Sequence, residues 1–134
     1  MTPLQPPGWP RPRGYSNGIA ARGTLISVAG QIGWNERCEF ESDDLVTQVR
    51  QALSNVLAVL REGGAGPQHI VRMTWYLLSR DEYVKRAGEI GDVYRELLAV
   101  QGKTQYPAMT AVQVSALVEP RAKVEIEVTA VVPD

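Results

Sequence analysis

Near the C-terminus two glutamates, Glu125 and Glu127, stand in a run of largely β-branched residues, Ala122 to Val132. Strand side chains alternate between faces, so Val124, Ile126, Val128, Ala130 and Val132 point one way and Glu125, Glu127 and Thr129 the other. The apolar set belongs under helices. A carboxylate on the opposite face, once covered, is either paired or poised as a general base, because burial disfavours an unpartnered charge. The preceding run, Met109 to Ala116, joins this one through a Glu119-Pro120-Arg121 turn. Matching its Thr110, Val112 and Val114 to the buried side leaves Met109, Ala111, Gln113 and Ser115 beside the two glutamates. Spacing alone leaves two readings of these acids open: solvated or salt-bridged strand residues, or a functional carboxylate.

Other reactive side chains offer less. His69, beside the Gly66-Pro67 turn, has no second ligand or carboxylate at metal spacing and reads as a surface histidine. The single cysteine, Cys38, sits beside Glu36, Arg37 and Glu39 and reads as an ordinary loop thiol rather than a nucleophile. Trp75 and Tyr76 read as packing residues, not as a stacking platform. No P-loop, dinucleotide fingerprint, metal motif or Ser/His/Asp set occurs, and no metal or organic cofactor is expected.

The elements that must position these residues follow from patterning. Residues 1–14 are Pro-rich and without periodicity, an extended arm that wraps another surface or stays mobile. Residues 15–134 form the single domain. Tyr15 to Arg22 begins a strand, and Arg22-Gly23 turns it into Thr24 to Ala29, giving a hairpin that ends at Gly30. Ser42 followed by Asp43 and Asp44 starts a helix with acids in its first turn. Leu45, Val49, Leu53, Val56 and Leu60 recur on one stripe, closed by Gly63-Gly64. Ile70 to Leu78 is a strand that is largely apolar on both faces, so both faces need cover, the second one from another subunit. Asp81 opens a second helix, irregular in its first half around Gly88 and Gly91. The order is ββαβαββ, an α+β domain with one sheet and both helices on one face.

Composition narrows the function class. The 134 residues are enough to bury a core without staples, and 44% hydrophobic with 22% charged residues is a globular mix. A net charge of −1 with scattered cations removes the term that dominates nucleic-acid affinity, so no nucleic-acid partner is expected. No apolar run approaches the roughly 20 residues of a spanning helix, so no membrane partner is expected either. One cysteine, and an N-terminus with prolines in place of an apolar signal core, point to the cytoplasm.

Several stretches together resemble the reactive intermediate deaminase family, also called RidA or YjgF-like. They are Tyr15-Ser16, Ala29-Gly30-Gln31-Ile32, Gln48 to Glu62, Ile70-Val71-Arg72 and, above all, Pro107-Ala108 with Val124 to Val128. The resemblance implies a chorismate-mutase-like fold, a homotrimer with a central barrel, and small-molecule clefts between subunits. For active members it implies hydrolysis of reactive enamines and imines, with release of ammonia and no cofactor. Carried over by position, Tyr15 lines the cleft, Gly30 lends its backbone to the ligand, and Glu125 positions the attacking water.

Four positions depart from the family pattern. Met109 stands where the resemblance implies a carboxylate-clamping arginine, Ala29 where it implies a serine, Ala111 a small polar or thiol residue, and Gly91 a helix asparagine. Losing a bidentate arginine weakens carboxylate binding, so the ligand is expected to be less anionic or held by another cation such as Arg72 or Arg121. The expected function is hydrolysis of an enamine, imine or related C–N compound through Glu125. The alternative is a non-catalytic binding or regulatory trimer using the same cleft.

Overall fold

The computed structural model covers residues 1–134. The apolar stripe of residues 45–60 does become a helix, α1, Leu45–Glu62, with Leu45, Val49, Leu53, Val56 and Leu60 all buried. Its N-cap is Asp44, whose carboxylate accepts the Thr47 backbone N–H at 3.0 Å, and not Ser42. Ser42 instead accepts the Asp44 N–H, so the expected acidic first turn lies just before the helix.

α1 lies across a four-stranded sheet built from β3 (Thr24–Ile32), β4 (Ile70–Leu77), β5 (Ala108–Gln113) and β6 (Val124–Val132), in spatial order β3-β6-β4-β5. β6 is antiparallel to both β3 and β4, while β5 runs parallel to β4 on the edge. The second helical region is two helices, α2 (Arg80–Lys85) and α3 (Ala87–Leu98), broken at Arg86. Arg86 donates to Asp44 at 2.7 Å and to Glu89, so the break is pinned to the start of α1. α1 and α3 pack side by side over one sheet face, which is the α+β single-layer arrangement that the patterning implies. Buried Met73, Trp75, Val124, Ile126 and Val128 meet the α1 stripe in one core.

The N-terminal region differs from expectation. Residues 15–22 do not form a hairpin with residues 24–29. Instead β2 (Gly18–Ala20) pairs with β1 (Thr2–Leu4) in a separate two-stranded antiparallel sheet, so the Pro-rich arm folds back on its own chain. Gln5 closes the intervening loop, donating to the Trp9 and Pro10 carbonyls and accepting from Asn17. A pairing of three residues, one of them a proline, leaves no periodic trace in sequence.

One buried polar residue ties the layers together. Gln48 on α1 is 1% exposed and donates to the Ser42 and Arg121 carbonyls, while its Oε1 accepts from the Lys123 N–H. The start of β6 is thereby fixed to α1, and with it the strand that carries Glu125.

Candidate functional site

Strand register decides which side chains can meet. Residues directly opposite on neighbouring strands share a face. Trp75 of β4 stands opposite Ile126 of β6 and opposite Ala111 of β5; Met73 stands opposite Val128 and Met109. Met109 and Ala111 are therefore on the helix side. Tyr76 stands opposite Glu125 and Val112, and Thr74 opposite Glu127 and Thr110, so these residues share the helix-free face. The expectation that Met109, Ala111 and Gln113 lie beside the two glutamates is thus inverted. β5 is an edge strand with both sides partly open, so its valines do not report which side is buried; the ladder with β4 does.

On the helix side a cleft of about 500 Å³ opens between α2, α3, β5 and the end of the N-terminal arm. Trp75 forms its floor, with an edge-on Tyr83 at 6.1 Å between ring centroids. Tyr94 and Tyr106 stack at 5.5 Å and 13° on another wall. Burial pushes the Tyr94 phenol up, with Tyr106 adding to the effect, and burial does the same at Tyr83, so both stay neutral. Tyr15, Met109, Ala111 and Gly91 complete this lining. Tyr15 is placed by Ser16, whose N–H donates to the Pro107 carbonyl at 2.9 Å and whose hydroxyl donates to the Tyr106 carbonyl.

Two arginines line the same cleft, Arg13 and Arg95, and no carboxylate does. Neither was singled out in sequence. The signal for Arg95 was its place one helical turn after Gly91, and for Arg13 only its nearness to Tyr15. The cations considered from sequence lie elsewhere. Arg121 is engaged with Asp43 at 2.9 Å and lies over the Phe40 ring at 5.3 Å. Arg72 lines a shallow depression of about 250 Å³ on the helix-free face, together with Ser27, Thr74, Glu127 and Thr129.

The remaining site candidates gather on that second face. Gly30 lies where β3 shifts register against β6, and a Cβ built there would come within 2.8 Å of Glu125 Cδ. Only a glycine lets the carboxylate rest against this backbone. Ala29, next to it, is exposed. Glu125 is half-buried and enters none of the chain's ion pairs. Its neighbour Glu127 is exposed and accepts the Tyr76 hydroxyl at 2.6 Å, a bond that raises the pKa of the Tyr76 phenol. His69 is structural, its Nδ1 accepting the Gly66 N–H at 3.0 Å, and Cys38 is exposed in its loop.

The geometry thus separates the expected site into two half-sites on opposite faces of one sheet. A family model described as Endoribonuclease L-PSP matches residues 10–132. The chain belongs to this family, the RidA/YjgF-like proteins. A RutC family protein of Pyrococcus abyssi is 36% identical over 110 residues, covering 81% of this chain and 80% of the relative. A Rid-family protein of unknown function from Yersinia pestis, YyfB, superposes with a TM-score of 0.81 at 28% identity over 98% of both chains. TdcF of E. coli, solved with bound serine, superposes at 0.69 with 27% identity over 98% of each. Membership makes the Rid fold that of this chain. As in the sequence reading, no helix is long and apolar enough to cross a membrane.

Proposed function

We propose that the protein is a RidA-like hydrolase of a reactive enamine, imine or related C–N compound, acting where the helix-side cleft of one protomer meets Glu125 of the next in a homotrimer. The observation that carries this reading is the register: Met109 and Glu125 sit on opposite faces of one sheet, so a ligand touching both half-sites must lie between copies. The helix-free face, which carries Leu25 at 65% exposure on β3 and Val112 at 41% on β5, is the surface a neighbour would cover. Water adds to the imine carbon while Glu125 takes its proton and passes it to the imine nitrogen, giving a carbinolamine. The carbinolamine hydroxyl proton then moves to that nitrogen as the C–N bond breaks, so that ammonia leaves and a carbonyl compound remains. TdcF, solved with bound serine, supports an amino-acid-shaped ligand in such a fold.

Glu125→Gln should lower ammonia release from a panel of 2-imino acids, generated in place by an amino-acid oxidase, by about a hundredfold or more. Native mass spectrometry of the same variant should still show three copies. Undiminished release would remove Glu125 from the chemistry, and a monomer would remove the shared cleft. One observation favours a second reading, a non-catalytic binding trimer: none of the 13 residues lining the cleft is Asp, Glu or His. That reading predicts saturable binding without ammonia from any member of the panel.

A further inference from the structure

We propose that Arg95 is the ligand anchor of this cleft, carried on the helix wall instead of the sheet wall, and that the cleft selects a carboxylate bearing a bulky apolar or aromatic body. The inference rests on the helix-side cleft being the ligand site, and it deepens that reading by naming what the cleft recognises.

Gly91 lies one helical turn before Arg95 on α3. The Arg95 side chain folds back along the helix over this residue and lines the cleft: a Cβ built on Gly91 would lie 3.2 Å from Arg95 Nη1 and 3.5 Å from Nη2, so the bare backbone at 91 gives the guanidinium room to lie close. Its guanidinium is held by Asp92, to which Nη2 donates at 2.6 Å, and the nearby Tyr106 phenol, stacked on Tyr94 inside the cleft, favours its charged form. A guanidinium carries five N–H donors in a fixed plane, so these contacts leave donors for a carboxylate. Asp92 is itself an exposed partner and does not line the cleft.

Arg13 is the other cation in the lining, but it has no hydrogen-bond or ion-pair partner within the chain that would fix it. Ordering a free arginine on binding costs side-chain entropy, whereas Arg95 is already placed, which makes Arg95 the stronger anchor and Arg13 an auxiliary at the mouth. With the charge on α3, the β5 wall of Met109 and Ala111 is left apolar, opposite a floor of Trp75 and Tyr83. The ligand therefore points its carboxylate at α3 and its body at β5 and Trp75. A cleft of about 500 Å³ lined by five aromatic residues is oversized for a short aliphatic acid and suited to an arylalkyl one.

Binding of non-reacting probes separates this proposal from the hydrolase reading. Calorimetry with 3-phenylpropanoate, its neutral isostere 3-phenylpropanamide and propanoate should rank the first probe tightest. Arg95→Met should weaken 3-phenylpropanoate by roughly ten- to a hundredfold, the scale of a lost charge-assisted pair, and leave the amide within about threefold. Arg95→Lys should recover part of the loss, and Arg13→Met should cost less than Arg95→Met. Unchanged 3-phenylpropanoate binding in Arg95→Met, a larger loss in Arg13→Met, or propanoate binding as tightly as the aryl acid would each overturn the proposal. Because Arg95 is exposed, its loss should leave the thermal midpoint near that of the parent, and equal weakening of acid and amide would mark a structural effect and also overturn it. If Arg95→Met loses the acid while no imine is hydrolysed by any form, the anchor stands and the hydrolase reading fails. If Glu125→Gln abolishes turnover while Arg95→Met binds as before, the reverse holds.

Discussion

The two faces of the sheet are built from the same strands and do opposite things. The helix side is aromatic and apolar, carries two arginines and no acid, and packs Trp75 to 1% exposure. The helix-free side holds Glu125, Glu127, Arg72, Thr74 and Tyr76 in a polar, shallow surface. One side is rich in aromatic rings and has no carboxylate or histidine in its cleft; the other has carboxylates and only a shallow depression. The difference teaches that a period-two strand can prepare both halves of a chemical site while its own geometry forbids them from meeting in one chain.

The sharpest test of that division uses mixed assemblies. Glu125→Gln spoils the acid half, and Ala111→Trp fills the exposed sheet wall of the cleft half, so each homomeric variant should be inactive. Co-assembled at equal dose, they should recover roughly a quarter of the parent's ammonia release, the share of sites in a heterologous ring that pair an intact cleft with an intact acid. No recovery would mean that both halves act within one chain. A second contrast is energetic. Trp75→Ala, on the packed side, should cost about 3–5 kcal/mol in urea unfolding, whereas Tyr76→Phe, one residue along and on the open side, should leave the unfolding midpoint close to the parent's, because its lost bond to Glu127 is exposed to solvent. Equal losses would break the distinction between a core face and a surface face.

Met109→Arg tests whether the anchor has moved. A second fixed cation on β5 should raise turnover of short aliphatic 2-imino acids, and no change would mean that Arg95 and the other replacements have reshaped the cleft beyond one residue. The smallest effect is expected at the hinge that frames the cleft. The hydrogen bond from Arg86 holds the Asp44 carboxyl at about 2, below its ordinary 3.8, with the Thr47 N–H helping. The folded-state value is lowered, so this stabilisation is present above pH 3.8 and is lost as pH falls toward 2. Asp44→Asn keeps a capping side chain and removes the charge, so it should cost less than about 1 kcal/mol at neutral pH, a gap that closes in acid melts near pH 2.

Much of this architecture was legible in residue order. The α1 stripe and the alternation of residues 124–132 are strong periodic signals whose cause is burial on one side, and they hold in the fold, as does the β-rich run from Ile70. Tyr15, Met109, Ala111 and Gly91 were named from sequence and do converge in one cleft. The β1–β2 pairing was invisible because three-residue strands beside prolines carry no period.

Sequence by itself determined α1, the helix-covered face of residues 124–132, and the presence of Glu125 and Met109, since each depends on local spacing or identity. Only the tertiary structure decided that Met109 and Glu125 face apart and that Arg95 lies across Gly91 into the cleft. The physical reason is that an edge strand's facing is set by its hydrogen-bond register with a strand distant in the chain, and a guanidinium's reach by the empty space beside it. Neither is written in the periodicity of the segment that carries the residue.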